Sequence, residues 1–174
     1  GWNIDVGCLQ RNTKDGVPTY NDGLDTFISS VNGTGAELVA IGNSEYRAKS
    51  ESAFMKFKYQ SGVWYVWDKA GTEYRFGSTS SSRQENQAGI FKWCLDQVTD
   101  THGNYITFSY FHDRGEIYLS QIQYTGGVGL APQYTVDFVR GERTDISTSY
   151  ISGYEVTTAK RLSAIELRYS GQLV

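Results

Sequence analysis

Cysteine and proline are scarce in this sequence, whose 174 residues include two of each. Two cysteines, Cys8 and Cys94, are too few for a disulfide scaffold, and they lack the spacing of a metal site. Free cysteine often packs as a small apolar residue, which favours two separate thiols. A disulfide between them stays open, because the sequence does not fix the distance between their Cα atoms. The cysteines therefore do not identify the compartment.

Long apolar runs and an excess of basic charge are missing as well. No stretch approaches the roughly 18 apolar residues that a membrane-spanning helix needs. The formal charge is −3, whereas a general nucleic-acid binder usually carries a basic domain or stripe. No charged and apolar leader precedes Gly1, so we expect any signal peptide to have been removed or to lie outside this piece.

Aromatic residues and glycine are abundant, with 13 Tyr, 8 Phe, 4 Trp and 19 Gly. Strands favour aromatic side chains and glycine supplies turns, so this composition indicates β structure. Apolar and polar residues alternate along most of the chain. The alternation predicts strands at residues 53–59, 63–67, 72–76, 90–98, 105–111, 117–124, 134–138 and 162–169, with another opening at Leu173.

These runs predict an all-β fold, an antiparallel array of hairpins and meanders with little or no helix. The best helical candidate, residues 83–95, lacks apolar residues at helical spacing. Residues 77–88 are rich in serine and residues 140–149 are charged and polar, so we predict exposed loops at both places. The length favours one β-rich segment over residues 1–174, as a domain or as part of a larger protein.

Three predicted turns share one order of residue types, Asp, then Gly, then Tyr. Asp accepts hydrogen bonds from backbone amides just ahead of it, Gly adopts the positive φ that closes a hairpin, and Tyr begins the return strand. We therefore predict structural roles at the hairpin turns for Asp68, Gly71, Tyr74, Asp100, Gly103, Tyr105, Asp113, Gly115 and Tyr118.

The stretch Tyr110-Phe111-His112-Asp113-Arg114-Gly115, with Gly103-Asn104-Tyr105 before it, is similar to the tyrosine–aspartate repeats of Rhs-type proteins. The chain as a whole resembles the SpvB-type region found in the B component of insecticidal toxin complexes. Its opening, residues 1–7, and the segment 158–163 match that region. The most specific matches are Trp93-Cys94-Leu95-Asp96 and the run from Thr99 to Tyr105.

The resemblance implies a structural role. In that family such hairpins form part of a hollow β-shell that encloses a toxic C-terminal region, and the proteins are secreted. The implied partners are the remaining parts of the shell, its cargo and other toxin-complex subunits, and neither nucleic acid nor a membrane span is expected. No catalytic residue, cofactor or metal site is carried over. Unpaired edge strands at both ends of the segment would favour self-association.

Enzymatic alternatives rest on a few titratable residues. His112 beside Asp113, or His102 near Asp100, would supply an acid–base pair, and Cys94 a nucleophile. Both histidines, however, lie at predicted hairpin turns, and neighbouring strand residues point to opposite faces. The carboxylate pairs Asp68/Glu73 and Asp113/Glu116 would imitate a glycosidase, but exposed turns explain them more simply.

Binding alternatives are also weaker than structural ones. Oxygen ligands cluster at residues 21–25, but the pattern of a calcium loop is incomplete and a turn is the simpler interpretation. The glycine-rich residues 126–129 lack the Lys-Ser/Thr of a phosphate loop. Exposed Trp64 or Tyr65 would suit an autonomous carbohydrate- or surface-binding β-sandwich, which predicts closed edges and a monomer. We favour cross-strand packing for these aromatics and a non-enzymatic function for the chain.

Overall fold

The computed structural model describes residues 4–33, 35–50 and 54–174. The described chain is all-β, as predicted, with two single-turn 3₁₀ segments, Val31–Gly33 and Ser80–Ser82. Within those ranges no helix is long and apolar enough to cross a membrane. The strands are β1 (Cys8–Arg11), β2 (Phe27–Ser29), β3 (Ala36–Gly42), β4 (Glu45–Ala48), β5 (Lys56–Gln60), β6 (Val63–Trp67), β7 (Glu73–Phe76), β8 (Arg83–Asn86), β9 (Gly89–Thr99), β10 (Tyr105–Asp113), β11 (Glu116–Gly126), β12 (Tyr134–Ser149), β13 (Val156–Tyr169) and β14 (Gln172–Leu173).

The first part of the chain closes into an antiparallel barrel of eight strands. Strands β1 to β7 pair in chain order, β7 pairs with β9, and β9 pairs with β1. The predicted meander over residues 53–76 is present as β5, β6 and β7, although Ala53, where the first run was predicted to begin, lies outside the described residues. The expectation of an unpaired edge at the N-terminal end is wrong, because β1 has a partner on both sides.

Strand β9 belongs to two structures at once. Its residues Lys92–Cys94 pair with β1, and its residues Gln97–Thr99 pair with β10. From β10 onward the chain forms a meander in the order β10-β11-β12-β13-β14. The barrel and this second sheet are therefore joined by hydrogen bonds to one shared strand, and all named strands belong to one sheet network.

The barrel interior is an aromatic core. Trp64 and Trp93 are fully buried and meet edge to face, with ring centroids 6.3 Å apart. Phe27 packs against both, with its centroid 5.1 Å from that of Trp64 and 5.8 Å from that of Trp93. Such perpendicular pairs are favoured by the quadrupoles of the rings. The burial of Trp64 is inconsistent with the alternative of an exposed sugar-binding tryptophan.

A second, smaller core lies outside the barrel. Alternation along β9 places Trp93 and Leu95 in the barrel core and Cys94 on the opposite face. Cys94 there packs with Tyr110, Leu119 and Phe138 from the second sheet. The hydroxyl of Tyr110 donates to the carbonyl oxygen of Leu95 at 2.6 Å, which satisfies a buried polar group.

The prediction of an exposed loop at residues 77–88 is wrong. This segment contains a capped 3₁₀ turn and strand β8, and Ser82 and Gln84 are almost fully buried. Residues 79–81 and 85–88 are exposed, whereas Ser78 and Ser82 bind a buried carboxylate. Asp96 accepts hydrogen bonds from the Ser78 amide at 2.5 Å and the Ser82 hydroxyl at 3.1 Å. The serine content correctly indicated a polar segment, but Asp96, the group that Ser78 and Ser82 bind, is buried inside the protein.

Residues 140–149 also form a strand instead of the predicted loop. They are the second half of β12, paired with β13 across a register shift between Glu142 and Ser147. Most of their side chains are exposed, because the β12–β13 ribbon extends beyond the cores. The polar composition of this segment correctly indicated exposed side chains, but it did not indicate that the segment forms a strand.

Gly77 provides a sharp test of barrel packing. A Cβ atom at Gly77 would overlap the Trp93 indole, and the residue has φ +69°. Gly129 has nearly the same φ, +73°, but nothing lies within 4 Å of its Cβ position. We expect Gly129→Ala to lower the free energy of unfolding by about 1 kcal/mol, from backbone strain alone. Gly77→Ala should cost about 3 kcal/mol or more, because the central indole must also move. Chemical denaturation measures both, and equal losses would contradict the packing.

Candidate functional site

Two of the predicted Asp-Gly-Tyr turns have the same geometry. Asp68 Oδ1 accepts hydrogen bonds from the amides of Ala70 (2.8 Å) and Thr72 (3.0 Å). Asp100 Oδ1 accepts from the corresponding amides of His102 (2.8 Å) and Asn104 (2.9 Å). Gly71 and Gly103 follow with φ +83° and +82°. The aspartates in these turns are bound to their own backbone and are not free for chemistry.

The tyrosines of these two turns differ in what they contact. The hydroxyl of Tyr74 donates to Asp68 Oδ2 at 3.3 Å, so this side chain closes its own turn. Tyr105 instead lies over its cross-strand partner Gly126, where a Cβ would be only 2.5 Å from the phenol ring carbon Cζ. Both side chains thus serve hairpin packing.

The third turn, which follows Asp113, has a different geometry from the other two. Asp113 is the last residue of β10 and pairs with Glu116 around a two-residue turn, Arg114-Gly115, with φ +49° and +79°. Its Oδ2 atom is buried without a hydrogen-bond partner. The Tyr118 hydroxyl accepts hydrogen bonds from the amides of Ala159 (3.0 Å) and Lys160 (3.2 Å) on β13. Tyr118 thereby connects β11 to a strand that is not its direct neighbour.

The predicted catalytic alternatives do not converge. The His102 side chain is 84% exposed, and its Nδ1 lies 4.0 Å from Asp100 Oδ2. His112 Nε2 lies 3.2 Å from the backbone oxygen of Ser81. Cys94 is buried in the second core, and burial raises the pKa of its thiol to about 12. These groups have separate surroundings, so they do not form an acid, base and nucleophile around one point.

Three of the four carboxylates in the two predicted pairs accept structural hydrogen bonds. Glu73 accepts from the Trp67 indole nitrogen at 3.1 Å, while Asp68 binds the amides of its turn. Glu116 accepts from the Thr158 hydroxyl at 3.0 Å. Neither pair presents an acid and a base across a cleft, which glycoside hydrolysis requires.

The oxygen cluster at residues 21–25 surrounds a guanidinium group. Arg11 is 3% exposed and donates to Asp22 at 2.6 Å, to Asp25 at 2.7 Å and to the Ile90 carbonyl at 2.7 Å. Asn21 Oδ1 accepts from the Gly23 amide, as the turn interpretation predicts. In the part of the chain that the structure describes, no group of three or more His, Cys, Asp or Glu residues could hold a metal ion.

Sequence reasoning assigned no role to Arg11, which the structure shows to be a buried anchor. Its guanidinium carbon also lies 5.3 to 5.6 Å from the ring centroids of Tyr20, Phe27 and Trp93. The signal in the sequence was a charged residue at the position two after Leu9, on the same face of β1 as that core residue. A buried guanidinium needs several partners, and the carboxylates at residues 22 and 25 supply them.

A groove of about 1100 Å³ lies between the barrel and the second sheet. The segment Ile4–Cys8 and part of β9 form one wall, and β11, β12 and β13 form the other. Two acidic side chains, Asp5 and Glu116, line it together with five basic ones, Lys92, Arg140, Arg143, Lys160 and Arg161. The groove is therefore basic on a chain whose net charge is negative.

Comparison with known proteins agrees with this geometry. The family model described as "SpvB: Salmonella virulence plasmid 65kDa B protein" matches residues 1–125. The chain belongs to the SpvB family. The resemblance inferred from the sequence motifs is confirmed. Of the motif residues, Gly1–Asn3 lie outside the described ranges. No curated protein sequence matches the chain.

Solved structures share the fold at low sequence identity. The N-terminal domain of effector protein SpvB from Salmonella typhimurium strain LT2 is 19% identical with a TM-score of 0.81, over 97% of this chain and 77% of that domain. The TcdB2-TccC3 structure is 18% identical with a TM-score of 0.81, and the Tc holotoxin pore of Photorhabdus luminescens is 18% identical with a TM-score of 0.82. Both alignments cover 97% of this chain but only 12% and 11% of those chains. This chain is thus a toxin-related structural domain of the SpvB type.

The Arg11–Asp25 pair gives a prediction about pH. Burial alone would raise the pKa of Asp25, but hydrogen bonds from Thr19 and Arg11 outweigh it and hold the pKa below the usual 3.8. At pH 7, Asp25→Asn should lower the free energy of unfolding by about 3–5 kcal/mol, because Arg11 loses a buried partner. Since the folded pKa is the lower one, the wild type keeps this stability above pH 3.8 and loses it as the pH falls through the folded pKa.

Denaturation of wild type and Asp25→Asn between pH 2 and pH 7 tests this directly. The difference between the two proteins should shrink on the acid side of pH 3.8. Asp15→Asn is the control, because Asp15 is an exposed aspartate. A difference that stayed constant over the whole pH range would show that the charge of Asp25 does not contribute.

Proposed function

We propose that this chain is a non-enzymatic wall segment of a secreted bacterial toxin, part of a β-shell that encloses a toxic C-terminal region. The observation that carries the proposal is the outer edge of β13. This strand pairs with β12 along its length, but on its other edge β14 pairs only with Arg168 and Tyr169. The Thr157 amide donates to the Arg114 carbonyl, the Ala159 and Lys160 amides donate to the Tyr118 hydroxyl, and the Leu167 carbonyl accepts from the Val174 amide. Over residues 161–166 no strand partner lies on that edge among the described residues. An edge with free backbone groups is a template for another strand.

Exposed apolar side chains near that edge support continuation of the sheet. Ile165 is 55% exposed and Leu167 37% exposed on β13, and Leu173 on β14 is 65% exposed. Single exposed apolar residues are ordinary on protein surfaces, but a group beside an open edge is typical of a site that another chain or segment covers. In the barrel, by contrast, each of the eight strands has a paired neighbour on both sides. The segment therefore has one closed side and one that accepts further β structure.

The arrangement of polar groups supports a role without catalysis. The candidate acids, bases and thiols are bound to turn amides, paired with buried cations or separated from each other. The partners we propose are the remaining shell, its C-terminal cargo and other toxin-complex subunits, in line with the complexes in which the structural relatives were solved. Secretion is part of the same proposal.

A carbohydrate-binding module is the second candidate, supported by one feature. Tyr65 and Trp67 stack on β6, with centroids 6.1 Å apart and planes 14° from parallel, and both are half-buried. Stacked aromatics of this kind can bind a sugar face. A glycan screen in which Trp67→Ala abolished a saturable signal would favour this function over the shell.

The shell proposal is tested in the full-length protein by adding charge to the open edge. Ile165→Lys with Leu167→Lys should prevent further strands from packing there, because charged residues block edge pairing. Limited proteolysis should then cut the C-terminal region, which is protected in the wild type. In light scattering, this segment alone should self-associate with concentration, and the double variant should shift it towards the monomer.

The matched control is Val39→Lys with Ile41→Lys. These aliphatic residues are 45% and 53% exposed on β3, in the part of that strand that pairs with β4 and lies beyond the end of β2. They have the same spacing and receive the same charge, but they lie in the barrel and not on β13. If both double variants left proteolysis and association unchanged, or changed them equally, the edge of β13 would not be the attachment site.

A further inference from the structure

We propose that Cys8 and Cys94 are a redox-sensitive pair that forms a cross-strand disulfide across the β1–β9 seam, where the barrel closes. These are the only cysteines in the sequence. They are direct partners in the antiparallel pairing of β1 with β9. The inference concerns the stability of the barrel and does not depend on the shell proposal.

The backbone hydrogen bonds define which type of pair the cysteines form. The Cys8 amide donates to Ser30 Oγ at 2.9 Å, and the Cys8 carbonyl accepts from the Ser30 amide at 2.8 Å. The Cys94 carbonyl accepts from the Gly77 amide at 3.0 Å. Both residues thus direct backbone groups away from each other, so they are a non-hydrogen-bonded pair. In such pairs the Cα atoms are about 4.5 Å apart, within the range that a disulfide spans.

The two side chains also share one face of the seam. Residues directly opposite each other in antiparallel strands point to the same side. Their neighbours Leu9 and Trp93 pack in the barrel core, so both thiols lie on the outer face, under the second sheet. Burial raises the pKa of the Cys94 thiol most, and Cys8 raises it further, which is consistent with this proximity.

A small oxidant has a route to the pair, because both cysteines line the groove between barrel and second sheet. Cys8 is half-buried and Cys94 is buried. Burial raises the pKa of both thiols, which slows their reaction in the folded protein, whereas Lys92 acts in the opposite direction on both. We therefore expect the bond to form fastest during folding, before the second sheet covers Cys94.

The reaction is thiol–disulfide exchange with a small disulfide such as oxidised glutathione. The Cys8 thiolate attacks one glutathione sulfur, the glutathione S–S bond breaks, and one glutathione thiolate leaves. The Cys94 thiolate then attacks Sγ of Cys8 and displaces the second glutathione thiolate. The two cysteines are oxidised, the glutathione disulfide is reduced, and the cysteine protons pass to the solvent or to the departing thiolates. A reducing compartment reverses the exchange.

The bond would convert the seam from a noncovalent closure to a covalent one. The loop between the cysteines contains all of the strands β2 to β8. Closing a loop of this length strongly limits the unfolded chain. We expect the melting temperature of the oxidised protein to exceed that of the reduced protein by about 10 °C.

The test is refolding of the reduced protein in a buffer of oxidised and reduced glutathione. Intact mass should show a monomer that has lost two hydrogen atoms, and no thiol should be titratable after denaturation. Addition of dithiothreitol should restore both thiols and lower the melting temperature. Cys8→Ser is the matched variant, because the introduced hydroxyl replaces Cys8 Sγ, which lies 3.4 Å from Ser30 Oγ. The melting temperature of this variant should not respond to the glutathione ratio.

Three results would overturn the proposal, and none of them depends on a variant that fails to fold. The wild type would keep two titratable thiols after oxidative refolding, or it would form only disulfide-linked dimers, or it would carry glutathione as a stable mixed disulfide. An equal melting temperature for the oxidised and reduced wild type would exclude the stabilising role of the bond.

Discussion

The structure depends on β9, an eleven-residue strand that is paired along both edges. It closes the barrel by meeting β1, and it begins the second sheet by meeting β10. Both faces of this strand are covered, because each face lies against a different core. Trp93 and Leu95 fill the barrel, while Cys94 and its neighbours in the second sheet fill the space outside it.

Two buried charges stabilise the surroundings of this strand. Arg11 binds the Ile90 carbonyl at the beginning of β9, and Asp96 binds Arg75 at 2.7 Å and the segment that leads to β8. A buried charge is costly unless its partners are in place, so each charge favours one arrangement of the chain around it. The aromatic core supplies most of the favourable burial, whereas these charged groups select which loops lie against β9. This division explains why a segment as polar as residues 77–88 is ordered.

Local patterns in the sequence predicted the local structure well. Alternation placed β5 to β7 and β9 to β11, and the order Asp-Gly-Tyr gave the geometry of the turns after Asp68 and Asp100. The closure of the barrel was not predictable, because pairing of Cys8 with Cys94 joins residues far apart in the sequence and leaves no local pattern. The order Asp-Gly-Tyr at Asp113 wrongly predicted an aspartate that binds the amides of its own turn. Only the pairing of Asp113 with Glu116 across the hairpin shows that Asp113 belongs to β10. The burial of Arg11 was indicated by its position two residues after Leu9, but the contacts of its guanidinium with Asp22 and Asp25 leave no local pattern in the sequence.

The tyrosines explain how successive hairpins are held together in one sheet network. Tyr74 closes its own turn, Tyr105 covers a glycine on the next strand, and Tyr118 binds two amides of β13. The reach of the side chain thus grows from the turn itself to a neighbouring strand and then to a strand beyond it. Because the phenol combines a large apolar ring with one polar atom, it stabilises packing and satisfies backbone groups together. A sheet connected in this way gains order from contacts between successive hairpins and between strands that are not direct neighbours.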